Sequence, residues 1–198
     1  MRGLFAYDGP FMRKVEHVLN FVWLNILLLA GCLPVFTAGA SITAVYSVAG
    51  RLREDDVKLT VAYWRAFRAN FKRATAIFSI LAAPPVILFL LSRFLPGKAI
   101  ILLLLTALTL SLMTGAWAFP MQAKYPDRVF RTVMNSFDLA IAYLPTTLLL
   151  IALKALPILL AVLFPGAILL LLPVSTALPV YWCWCICGRT LRKHAEGC

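Results

Sequence analysis

The sequence predicts an all-α fold: a polytopic helical membrane bundle of about six transmembrane helices, the first two forming a short Pro-broken hairpin, with an amphipathic helix on the cytoplasmic side. Three observations carry this. Of the 198 residues, 62% are hydrophobic, where a soluble domain sits near ~45–50%. Apolar runs at 74–92, 99–121 and 155–187 hold few charges, and each reaches the ~20 residues a helix needs to cross a bilayer core. These runs are long and uniformly apolar, whereas barrel strands are short and alternate. Backbone polar groups in lipid must pair internally, so helices remain. A single membrane domain accounts for residues 1–198, because little sequence is left for a soluble unit.

The first apolar stretch, 18–50, is broken at Gly31-Cys32-Leu33-Pro34. Pro34 lacks an N–H and clashes with the turn before it. The stretch reads as a hairpin with spans about 11–31 and 36–52, or as one bent span with a re-entrant piece. Its second half, FTAGASITAVYSVAG, is rich in Gly, Ala, Ser and Thr. Such residues let membrane helices approach closely, so this piece belongs among other helices. Thr37-Ala38-Gly39-Ala40-Ser41 imitates a signal-peptide cleavage site. Membrane-like sequence follows at once, which makes the first span an uncleaved one.

The polar stretch 51–73 comes next. Glu54, Asp55 and Asp56 favour a helix start. Val57, Val61, Trp64, Phe67 and Phe71 then form one helical stripe, with Lys58, Arg65 and Lys72 beside it and Arg68 at the border. This predicts an amphipathic helix over about 56–73, lying in the membrane interface where Trp is favoured. Four spans follow, at 74–92, 99–119, 138–157 and 164–187. Pro96-Gly97 and Pro165-Gly166 supply tight turns. A second polar piece, 120–137, separates the two pairs.

Net charge is +11. The basic residues flank apolar spans, which points to topology and anionic lipid of the cytoplasmic leaflet, not to nucleic acid. Of the 19 Lys and Arg, all but Arg93, Lys98 and Lys154 fall on one side of this arrangement. The positive-inside rule then puts both termini in the cytoplasm. Two inside ends require an even number of crossings, which favours the hairpin reading and six spans.

YWCWCICGR, at 181–189, crowds three cysteines together. On a helix Cys183 and Cys187 share a face and Cys185 points away. No Cys-x-x-Cys or His pair completes a metal set. The segment reads as the inner end of the last span, its thiols acting as small hydrophobes. No cofactor is implied. There is no phosphate loop, G-x-S-x-G or H-E-x-x-H, and His17 and His194 lie near the two ends. An enzyme is therefore not expected. The span centres hold no Asp or Glu, which argues against a proton-coupled carrier. Lys154 is expected near an outer end, snorkelling to the surface. Thr106, Thr109, Ser111 and Thr114 are candidates for bonds between helices.

The N-terminal third is the most distinctive. Leu24-Asn25, Pro34-Val35-Phe36-Thr37-Ala38-Gly39-Ala40 and Thr43-Ala44-Val45-Tyr46 resemble the YesL-like family of small bacterial integral membrane proteins. Trp64-Arg65-Ala66-Phe67-Arg68-Ala69-Asn70-Phe71-Lys72-Arg73-Ala74 fits the basic-aromatic segment of that family. The resemblance covers about residues 1–80. It implies a multi-pass protein of the bacterial cytoplasmic membrane, from a family of unknown function found beside carbohydrate ABC importers. It brings no catalytic residues.

Two readings follow. In the first, the chain is a non-enzymatic accessory or assembly factor for carbohydrate uptake by an ABC importer. It would contact permease subunits or lipid through the small-residue helix (Gly39, Ala40, Ser41, Thr43, Ala44) and through Trp64, Arg65, Phe67, Asn70 and Lys72. In the second, it is a small carrier for a neutral solute such as a sugar, with a polar cavity of Asn25, Thr37, Thr43, Tyr46 and Asn135.

Overall fold

The structure is a computed structural model that describes residues 10–51, 58–95 and 97–163. Regular structure among them is entirely helical: α1 (Pro10–Cys32), a 3-10 turn (Val35–Thr37), α2 (Ala38–Ala49), α3 (Leu59–Phe94), α4 (Lys98–Lys124), α5 (Val129–Ala142) and α6 (Leu144–Leu163). The expected span at 164–187, with its cysteine cluster, lies outside the described residues.

The break at Pro34 is where the sequence placed it. The Thr37 hydroxyl donates to the carbonyls of Gly31 and Pro34, both at 2.7 Å, which ties the end of α1 to the start of α2. However, α2 has 12 residues, about 18 Å at 1.5 Å per residue. That is well short of the ~30 Å hydrocarbon core. The expected span over 36–52 is thus a short helix, and most of it is buried inside the chain.

The amphipathic helix at 56–73 and the span at 74–92 are not two elements. They are one 36-residue helix, α3, about 54 Å long. The change in composition near Ala74 does not interrupt the helix, since no Gly or Pro intervenes between Leu59 and Pro84. Pro84 and Pro85 lie inside α3. A helix in lipid tolerates such residues where neighbouring groups take up the freed carbonyls.

The expected span at 138–157 is also revised. It is two helices, α5 and α6, bent by 105° at their junction. Pro145, in the first turn of α6, cannot donate to the Ile141 carbonyl four residues back, and Tyr143 between the two helices leaves helical geometry with φ −119° and ψ 50°. Among the described residues, α3 and α4 are each long and apolar enough to cross a membrane, with a third span if the bent pair is taken as one. The count of six is not reached among the described residues.

Burial is lopsided. The buried residues of α3 are Leu59, Tyr63, Ala74 and Ile77, and those of α4 run from Thr114 to Gln122. Both sets lie toward the same end of the α3–α4 hairpin, where α2 crosses α3 and α5 packs on α4. Beyond Ile77 and before Thr114 the two helices continue as a paired, apolar, lipid-like surface. Phe89, Leu90, Leu102 and Leu105 are each more than half exposed there.

Candidate functional site

Among the described residues, cavities lie on either side of α3. The larger, about 730 Å³, lies between α3 and α4 and is closed at one end by α2 and α6. Phe78, Leu81 and Phe89 form one wall, and Leu104, Leu108 and Leu112 the other. Its polar contributors are Tyr46, Ser111 and Lys154. The smaller, about 390 Å³, sits where α2 ends, beside the first half of α3 and the end of α4. It is lined by Ser47, Arg51, Arg65, Asn70 and Lys124, among others, so it is polar and basic.

Lys154 is the main surprise of the site. Its ammonium lies 3.4 Å from the carbonyl oxygen of Ala116 and 5.7 Å from the centre of the Tyr46 ring. Pro120 has no N–H to give the Ala116 carbonyl, so that acceptor loses its helical partner. Lys154 takes the vacated position. The side chain is half-buried against the middle of the bundle, and it is not the snorkelling anchor at an outer end that the sequence suggested. Pro120 was the missed signal, because a proline inside an apolar helix leaves a carbonyl that a polar side chain must find.

The small-residue helix is used internally. A Cβ on Gly39 would sit 2.5 Å from the Ala74 carbonyl oxygen and 2.7 Å from the Phe78 Cβ. Gly39, Ala40, Ser41, Thr43 and Ala44 are all buried. Ser41 donates to the Leu28 carbonyl at 2.9 Å and pairs with the Tyr63 hydroxyl at 2.8 Å, joining α1, α2 and α3. Gly39 and Ala40 therefore present no surface to a partner. The other contact candidates differ: Trp64, Arg65 and Lys72 are exposed, while Phe67 and Asn70 are half-buried. The rings of Trp64 and Phe67 meet edge to face at 5.4 Å, and Phe67 continues the stripe to Phe71 at 5.5 Å.

The five residues of the expected polar cavity do not converge. Asn25, Thr37, Thr43 and Tyr46 are buried, but Asn135 is exposed on α5. Thr37 serves the Pro34 turn, and Thr43 donates to the Gly39 carbonyl of its own helix at 2.8 Å. Of the five, only Tyr46 lines the larger cavity. Thr106 and Thr109 likewise donate to Leu103 and Leu105 on their own helix, not across to another. The expected bonds between helices come from other residues. Trp117 Nε1 donates to the Thr147 hydroxyl at 2.9 Å, and Thr147 contacts the carbonyls of Ala140 and Tyr143 at the α5–α6 bend. Thr132 donates to Gln122 Oε1 at 3.1 Å, joining α5 to α4.

No group of three or more His, Cys, Asp or Glu side chains able to hold a metal occurs among the described residues. Glu16 and Asp138 are both exposed, on helices that do not touch each other. No curated protein and no solved structure matches the chain. Residues 18–91 match the family model described as Protein of unknown function, DUF624. These residues hold most of α1, the Pro34 turn, α2 and nearly all of α3, and the YesL-like family that the N-terminal sequence resembles is a DUF624 family.

Proposed function

We propose that this membrane protein is a non-enzymatic accessory or assembly factor for carbohydrate uptake by an ABC importer in the bacterial cytoplasmic membrane. It docks through the first half of α3. The observation that carries the docking surface is the length of that helix. At about 54 Å, α3 outruns a ~30 Å hydrocarbon core by roughly the stretch Leu59–Arg73. That stretch holds exposed Trp64, Arg65, Arg68 and Lys72, an aromatic and basic face of the kind that seats at a membrane interface or on a partner there. The family resemblance supplies the partner class, an importer permease subunit. The excess of cations near this end supports a cytoplasmic position for it, with both termini on the same side.

A carrier for a neutral sugar has less support. Sugar sites need several converging polar groups, and the larger cavity is walled by Leu, Phe, Ile and Val with three polar contributors. The test is crosslinking in native membranes, mild-detergent purification and mass spectrometry. Stoichiometric recovery of permease subunits, lost on Trp64→Ala with Lys72→Glu in a chain that still folds, is the expected result. Recovery of this chain alone, at good yield, overturns the accessory reading.

A further inference from the structure

Among the described residues that line the larger cavity, Lys154 is the one that carries a charge. Intramembrane charges are rare and face interiors or pathways, because an ammonium in hydrocarbon is costly to keep. The Ala116 carbonyl and the Tyr46 ring hold its ammonium at the head of the cavity. Its depth is telling. Ala116 lies about 12 Å along α4 from Lys124, at the cation-rich end of the hairpin. From Ala116 the trough runs about 18 Å further, to Leu104, slightly more than one leaflet, or half of a ~30 Å core. Gly115 keeps the wall low at the head of the trough. A Cβ there would meet only Leu81 and Phe119, at 3.6 and 3.7 Å.

We propose that the α3–α4 cleft is a binding site for an anionic phospholipid of the surrounding bilayer. One acyl chain lies in the trough between Phe78, Leu81 and Leu108, and the phosphate approaches the Lys154 ammonium. Charge complementarity selects the anionic head, and the apolar walls select the chain. A free anion satisfies only one of these two demands, and a neutral sugar satisfies neither.

The experiment is native mass spectrometry of the full chain in mild detergent, titrated with phosphatidylglycerol or with phosphatidylcholine of identical chains. Wild type is expected to hold one phosphatidylglycerol about tenfold more tightly than phosphatidylcholine. Lys154→Gln should bring the two to parity, and Lys154→Arg should keep the preference. Gly115→Leu, which fills the trough and leaves Lys154 in place, should weaken both lipids. If Lys154→Gln does not fold, Gly115→Leu and Lys154→Arg still decide. Equal binding of the two lipids by wild type, or tight phosphatidylglycerol binding that survives Gly115→Leu, overturns the proposal. The second outcome would mean that another part of the chain, or the basic face of α3, accounts for the lipid.

Discussion

The two ends of the α3–α4 hairpin are built on opposite principles. At the end holding Leu59–Ile77 of α3 and Thr114–Lys124 of α4, side chains are buried and polar groups reach across helices. Ser41 meets Tyr63, Trp117 meets Thr147, and Thr132 meets Gln122. At the other end, Ser92, Thr106 and Thr109 return their hydroxyls to carbonyls of their own helices, and the large apolar side chains face outward. The contrast reflects where cohesion comes from in a membrane. Lipid is as apolar as leucine, so apolar contact alone gives helices little reason to associate. Close backbone approach and hydrogen bonds between helices supply the difference. One end of the hairpin has both and therefore sets the fold, while the other end is a surface made for lipid.

Substitutions sharpen this comparison. The largest effect is expected at Gly39. Gly39→Leu drives a side chain into the Ala74 carbonyl and Phe78, and overpacking of this kind costs ~1–3 kcal/mol or more. Folded yield in detergent, read by size-exclusion chromatography, should collapse. Gly97→Leu is the matched control, since a Cβ at Gly97 meets nothing within 4 Å and its φ of −167° suits any residue. An equal loss from Gly97→Leu would break the contrast between the two ends.

Trp117→Phe comes next. It keeps most of the ring volume but removes the indole donor to Thr147 at the α5–α6 bend, at a cost of ~1–3 kcal/mol. Thermal unfolding in detergent should shift down, and Trp117→Phe with Thr147→Val should cost less than the sum of the two singles, because they share one bond. Strict additivity would show that the bond contributes nothing. A smaller effect, about 1 kcal/mol, is expected for Thr132→Val, which leaves Gln122 Oε1 without this donor. The smallest belongs to Thr106→Val and Thr109→Val on the exposed stretch of α4. Each removes only a bond within its own helix and should change stability by less than ~0.5 kcal/mol. A marked loss at either site would mean that this surface is packed against protein.

Much of the packed end could be read from residue types. Pro34 marked the break between α1 and α2, and the small residues from Ala38 to Ala44 marked a close crossing. Val61, Trp64, Phe67 and Phe71 marked an amphipathic stretch. What residue types obscured was continuity. Composition changes near Ala74, so the sequence appeared to hold two helices, but a helix ends only where its hydrogen bonds are interrupted. Across 138–157 the error ran the other way. Read as one apolar stretch, it hid Pro145 and the 105° bend. The site was less legible than the fold. Thr37 and Thr43 looked like cavity groups from their polarity, yet carbonyls close to them in sequence claim their hydroxyls. Lys154 looked like a surface anchor from its position in sequence. The carbonyl orphaned by Pro120 and the Tyr46 ring, brought close by the bend before α6, draw it inward.

The central claim is that α3 is one continuous helix, half at the interface and half in lipid. A spin-label scan along 59–94, in a background with the native cysteines replaced, tests it most directly when the protein is reconstituted in bilayers. Labels at 61, 64, 65, 68 and 72 should be reached by a water-soluble relaxation agent with helical periodicity. Labels at 80, 86, 87, 90 and 91 should be reached by oxygen and shielded from that agent, with no loss of helical order across 72–76. Water access along 80–91, or a mobile break near Ala74, would contradict the account.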